Sequence, residues 1–155
     1  MANLKHAARL IIEEVYGQGR VEVLDALCHP AYVSHDPLVG DADLAGVKAY
    51  VRLLRACFPN LEPRILGLYV DGDTAIAWWR LQGNLLRRLL DVEPHGQHIT
   101  LEGMTLFQFE DGKLIEDSSH WDTFGYLRQL GVVRPLEEPT ARGSGASDMP
   151  ETSQS

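Results

Sequence analysis

Apolar residues at Leu4, Ala7, Ala8, Ile11, Ile12 and Val15 recur at intervals of three and four, the spacing that lines one face of an α-helix. Asn3 can cap this helix, and Gly17 or Gly19 can end it. A short second helix is predicted from about Val21 to Cys28. It stops before His29-Pro30, because a residue preceding proline is pushed out of the helical region. Ala31 to Pro37 then reads as a brief extended piece. Asp43 opens a third helix with Leu44, Val47, Val51, Leu54 and Cys57 on one side, terminated by Phe58-Pro59-Asn60.

Beyond that point the period changes from helical to two. Ile65 to Val70 and Thr74 to Gln82 flank Asp71-Gly72-Asp73 as a hairpin. A second hairpin pairs roughly His98 to Phe109 with Lys113 to Trp121 around Asp111-Gly112, a dipeptide suited to the positive φ values of a type I′ turn. Leu85 to Gly96 is a long connection between the hairpins, and Thr123 to Leu130 a closing helical turn ended by Gly131. Three helices followed by four long strands exclude a doubly wound parallel sheet, in which strands and helices alternate. The fold class is α+β, with helices covering one face of a curved antiparallel sheet that leaves an apolar pocket at its open end. After Arg134 the chain turns to Pro, Ser, Gly, Glu and Thr. A domain over residues 1–133 and a disordered tail over 134–155 are therefore expected.

Composition narrows the function. A chain of 155 residues is one domain's worth. The net charge of −8 and the absence of a basic stripe oppose nucleic acid as a partner. No apolar run approaches the roughly 20 residues of a membrane span, and the first residues lack a signal-peptide core, so a soluble cytoplasmic protein is expected. Cys28 and Cys57 sit within apolar helical patterns and read as small buried hydrophobes. His95-x-x-His98 with Glu102 and His120 lacks a helical ligand register, so no metal is expected.

The candidate chemistry lies after Asp111-Gly112. Alternation puts Leu114, Glu116, Ser118, His120 and Asp122 on one strand face, and Ile115, Asp117, Ser119 and Trp121 on the other. The first face carries a carboxylate beside an imidazole, a pairing capable of proton chemistry if it looks into a cavity. Asp122 has a second reading, as the cap of the helical turn that starts at Thr123. His35-Asp36-Pro37 is explained locally by a turn. Trp78 and Trp79 point to opposite sides of one strand, so one is core and the other free to line a pocket or a subunit interface. Tyr16, Phe58, Met104 and Phe107 read as core or pocket wall. Leu85 to Leu90, with Arg87 and Arg88 inside it, reads either as a lid over the cavity mouth or as a connector packing on a neighbouring subunit.

With these residues placed, the chain resembles the SnoaL-like polyketide cyclases of the nuclear transport factor 2-like superfamily from about Ile11 to Gly131. The likeness rests on His35-Asp36-Pro37 with Gly40, Phe58-Pro59-Asn60-Leu61, Pro94-x-Gly96, Asp111-Gly112-Lys113-Leu114-Ile115-Glu116 six residues ahead of Asp122, and Gln129-Leu130-Gly131. The resemblance implies a cone-shaped barrel and a cofactor-free, metal-free intramolecular aldol closure. It implies Asp122 as acid/base, with His120 tuning it or donating to an oxyanion, and a pocket bordered by His35. Trp78, Asn84, Met104, Ser118 and Phe58 are the further substrate-binding candidates. The chain departs from the family in carrying Gly83-Asn84-Leu85-Leu86-Arg87 where many members have Gly-Thr-His-x-Gly, and Ser118 where a tryptophan is frequent. The partners implied are a small hydrophobic polyketide-like substrate and further copies of the chain, in a homodimer or higher homo-oligomer. Isomerases, hydratases, epoxide hydrolases and non-catalytic binders share the superfamily and stay open as alternatives.

Overall fold

The apolar stripe of the first segment folds as expected in the computed structural model, which describes residues 3–89, 91–134 and 136–137. Helix α1 (Leu4–Leu10) is capped by Asn3, whose side chain accepts from the His6 N–H at 3.1 Å. It continues without a break into a π-helical turn, Ile11–Tyr16, and Gly19 at φ 72° ends the run. Helix α2 spans Val23–Leu27 and leads into β1, Cys28–Asp36. This strand is nine residues long rather than a brief extended piece, because it finds a partner from the far end of the chain. Strand β2 is Gly40–Ala42, and α3 (Leu44–Cys57) is capped by Asp43, which accepts from Gly46 N–H at 2.8 Å. Strands β3 (Glu62–Asp71), β4 (Thr74–Asn84), β5 (His98–Glu110) and β6 (Lys113–Trp121) follow, then α4 (Thr123–Gln129).

The architecture is α+β, and the six strands form one curved sheet in the order β2-β1-β6-β5-β4-β3. It is mixed rather than purely antiparallel: β1 runs parallel to β6, and every other neighbouring pair is antiparallel. The parallel pair escapes a hairpin reading because no tight turn links its strands. Asp111 and Gly112 have φ values of 49° and 77°, as a type I′ turn requires.

One irregularity in β6 decides which side chains face inward. Gln108 pairs with Glu116, but the next residue, Phe109, pairs with Leu114, so Ile115 has no opposite number. This β-bulge resets the alternation. Leu114 is buried, and past the bulge the inward positions become Asp117, Ser119 and Trp121.

Ala8, Ile11, Ile12, Val15, Val47 and Val51 pack onto Ala77, Trp79, Phe107 and Leu114 of the sheet. A second cluster of Leu54, Cys57, Phe58, Leu61, Leu85, Ile99, Tyr126 and Leu130 closes one end. Gly103 is required where the two tryptophans meet, since a Cβ there would stand 2.5 Å from Trp121 Cβ and 2.7 Å from the Trp79 ring. The segment expected as a lid begins instead with a core residue: Leu85 is fully buried, its N–H donating to Gln97 O, while Leu86, Arg87 and Arg88 are exposed. Leu90 lies outside the described residues, as does the expected tail apart from Arg134, Leu136 and Glu137. Among the described residues no helix is long and apolar enough to cross a membrane.

Candidate active site

The concave face of the sheet and the helices laid across it enclose a cavity of about 80 Å³. The π-helical turn supplies Ile11, Ile12 and Tyr16, α3 supplies Val47, Tyr50 and Leu54, and α4 supplies Tyr126. The sheet supplies Tyr32, Asp36, Trp79, Thr105, Phe107, Asp117, Ser119 and Trp121, among others. Among the described residues, no lysine, arginine or histidine lines it.

Asp117, 7% exposed, is the buried charged residue among those described. It lies opposite Ser34 in the parallel pair, so the two side chains meet. The Tyr32 hydroxyl donates to its Oδ2 at 2.5 Å and the Ser34 hydroxyl to its Oδ1 at 2.6 Å. Burial raises the Asp117 pKa, and nearby negative charge on Asp36 pushes the same way. The two hydroxyl donors and His35 pull it back without cancelling the rise. Asp36, two positions beyond Ser34 on β1, is held differently. Its Oδ2 accepts from Trp121 Nε1 at 3.0 Å, and its Oδ1 from the N–H groups of Leu38 and Val39 at 2.8 and 2.9 Å. Three N–H donors fix that carboxylate at the cavity wall.

Phenols surround the two acids. Burial raises the pKa values of Tyr16, Tyr32 and Tyr50, and pushes Tyr126 up to about 12, so all four keep their protons and act as donors at neutral pH. Trp79 Nε1 donates to Thr105 Oγ1 at 2.9 Å, and Thr105 hydrogen-bonds Ser119 at the same distance. Trp121 meets Tyr126 edge to face with ring centroids 5.3 Å apart. The set offers a buried proton acceptor, neutral O–H donors and an aromatic wall, a combination suited to moving a proton on a carbon acid.

The residues singled out from sequence fall elsewhere. Asp122 is exposed and caps α4, its Oδ1 accepting from Gly125 N–H at 2.9 Å, and it does not line the cavity. His120 is exposed on the outer face of the sheet, aligned with Met104, which is aligned in turn with Trp78. Met104 is 51% exposed and Trp78 36%, whereas Trp79 is the inward member of its pair. Ser118 faces away from the cavity, in register with Leu106. His35 is clamped between Asp41 (2.6 Å) and Glu116 (3.0 Å), and the hydrogen bond to Asp41 leads in raising its pKa. Asn84 accepts from Asn60 and donates to Gly96 O, tying down the end of β4. Phe58 is buried in the second cluster beside a small pocket next to the main cavity. Among the described residues, no three His, Cys, Asp or Glu side chains converge as a metal would need.

Two signals point to the actual lining. Tyr32, Ser34 and Asp36 share the period-two face of β1, hidden by the length assigned to that strand. Asp117, Ser119 and Trp121 form the second face of β6, and only the bulge at Ile115 turns it inward while Leu114 stays in the core.

A wider groove of about 850 Å³ lies outside the cavity, lined by Leu38, Val39, Leu53, Leu89, Val92 and Val132 with Asp91 and Glu93. Tyr50, Leu54 and Tyr126 border both spaces.

The model of the SnoaL-like polyketide cyclase family matches residues 6–130. The chain is 31% identical over 129 residues to the nogalonic acid methyl ester cyclase of Streptomyces nogalater, covering 79% of this chain and 94% of that one. The structure of TsrD from Streptomyces laurentii superposes with a TM-score of 0.74 at 25% identity, over 84% of this chain and 96% of the other. A protein of Catenulispora acidiphila with a ketosteroid isomerase-like fold superposes with a TM-score of 0.66 at 13% identity, over 82% and 93% of the two chains, a likeness of fold.

Proposed function

Because the chain belongs to the SnoaL-like polyketide cyclase family, we propose that it closes a ring in a poly-carbonyl substrate by an intramolecular aldol reaction, with Asp117 as the acid/base. The observation that carries this reading is the buried Asp117 carboxylate on the cavity wall, its pKa raised and its oxygens held by Tyr32 and Ser34. Asp117 takes a proton from the carbon between two carbonyls. The C–H electron pair becomes the enolate double bond, and the carbonyl π pair moves onto oxygen. The enolate carbon then attacks a second carbonyl, forming the C–C bond, and the new alkoxide takes the proton back from Asp117. Protons and electrons balance with no cofactor or metal. The reacting end occupies the inner cavity, and the remaining apolar body of the substrate the outer groove, in keeping with the methyl ester substrate named for the Streptomyces nogalater relative.

An epoxide hydrolase built on an aspartate, arginine and aspartate set is not supported, because Arg80 pairs with Glu102 away from the cavity. A second copy of the chain is proposed to pack on the outer face of the sheet, where Trp78 and Met104 stand exposed side by side.

The test is Asp117→Asn, assayed both for ring closure of an aromatic polyketide methyl ester and for deuterium uptake by a 1,3-dicarbonyl probe from heavy water. Both rates should fall about 10²–10⁴-fold with an unchanged circular dichroism spectrum. Parent-level exchange and turnover in the variant would refute the assignment.

A further inference from the structure

A cavity that creates an enolate beside two carboxylates, with no cationic side chain on its wall among the described residues, needs neutral donors for the new oxyanion. Tyr32 is committed to Asp117. Tyr16 and Tyr50 are not: neither hydroxyl makes a hydrogen bond to any described residue, although both side chains line the cavity. Glu14 Oε2 is the sealed side-chain polar atom without a hydrogen bond among the described residues, so the two phenol oxygens open onto cavity space. A buried hydroxyl with no acceptor is costly, and these two are satisfied by whatever acceptor enters.

We propose that the Tyr16 and Tyr50 hydroxyls form an oxyanion-binding pair that donates two hydrogen bonds to the enolate oxygen as Asp117 removes the proton. The assignment rests on Asp117 being the base. Tyr16 ends the π-helical turn and Tyr50 lies on α3, so the pair grips the oxygen from the helical side while Asp117 works from the sheet. Asp117, Asp36, Tyr16 and Tyr50 all line the one cavity; the negative charges of Asp117 and Asp36 act on Tyr16, and that of Asp36 on Tyr50. Because burial holds both phenols protonated well above neutral pH, the oxyanion receives hydrogen bonds and not a proton. The proton stays on Asp117 for return to the alkoxide. The π-helical geometry is consistent with such a role, since π turns concentrate at functional sites.

Binding of para-nitrophenol to the full chain tests the pair without turnover. Bound phenolate facing a protonated Asp117 has the charge arrangement of the enolate intermediate, and phenolate absorbance reports it directly. Nitrobenzene, which keeps the ring and nitro group but lacks the phenol oxygen, is the control for shape. Tyr16→Phe and Tyr50→Phe should each weaken para-nitrophenol binding at least about tenfold while holding nitrobenzene within about twofold, and Tyr16→Phe should lower kcat for ring closure about 10²–10³-fold at similar KM. Equal para-nitrophenol affinity in the parent and both Phe variants would overturn the pair. Loss of phenolate binding in the Phe variants together with full turnover by Asp117→Asn would sink the base assignment and leave the oxyanion site standing. Loss of both ligands alike would show that the phenols merely shape the cavity, which also overturns the proposal.

Discussion

Burying Asp117 costs stability. Its carboxyl is buried, so its folded pKa lies above the ordinary carboxylate value of about 3.9. Between those two values the native chain binds more protons than the unfolded chain, and stability therefore falls as pH rises through that window. Below the unfolded value the penalty disappears. Replacing Asp117 with Asn removes the ionisation while leaving side-chain groups for Tyr32 and Ser34 to engage. The Asn variant should then show a higher urea midpoint than the parent at pH 7, the two converging as pH falls toward 4. Parallel curves over that range would mean that Asp117 titrates as an exposed acid.

At the scale of the element, capping and alternation compete for the same residues. Asp122 is the N-cap of α4, and Gly125 is kept clear for it, since a Cβ there would come within 2.1 Å of the Asp122 carboxylate. Asp122→Ala should cost about 1 kcal/mol of stability in urea titration, the usual value of an N-cap. Its kcat below the unfolding range should remain within about threefold of the parent, and a collapse of kcat with intact folding would return Asp122 to the chemistry. The α+β class, both hairpins, the caps at Asn3 and Asp43 and the type I′ turn were legible in the sequence, because each depends on residues within a few positions of one another. The inward face of β6 was not. It depends on one residue, Ile115, losing its partner across the strand, and a bulge leaves no mark in the alternation of a strand that is polar on both sides. The length of β1 was hidden for the opposite reason, since its pairing partner lies some 80 residues away.

For the whole molecule, the outer face of the sheet is the surface that its own helices leave uncovered. Trp78, Met104 and His120 stand in line across β4, β5 and β6, and Tyr69 extends the apolar exposure onto β3. Trp78→Lys should convert a self-associating species to monomer in sedimentation velocity while preserving ring closure, because Trp79 and not Trp78 lines the cavity. A parent that sediments as a monomer would remove this interface. The parallel docking of β6 beside β1 also sets when the cavity wall is completed during synthesis. Tyr32 and Ser34 leave the ribosome long before Asp117, and the contacts between them span 85 and 83 positions. Closing so long a loop is slow and entropically costly. A nascent chain that has built its first three helices and first hairpin therefore lacks the hydrogen-bonded Tyr32, Ser34 and Asp117 cluster. That buried cluster comes into being only once the last strand has clicked into place.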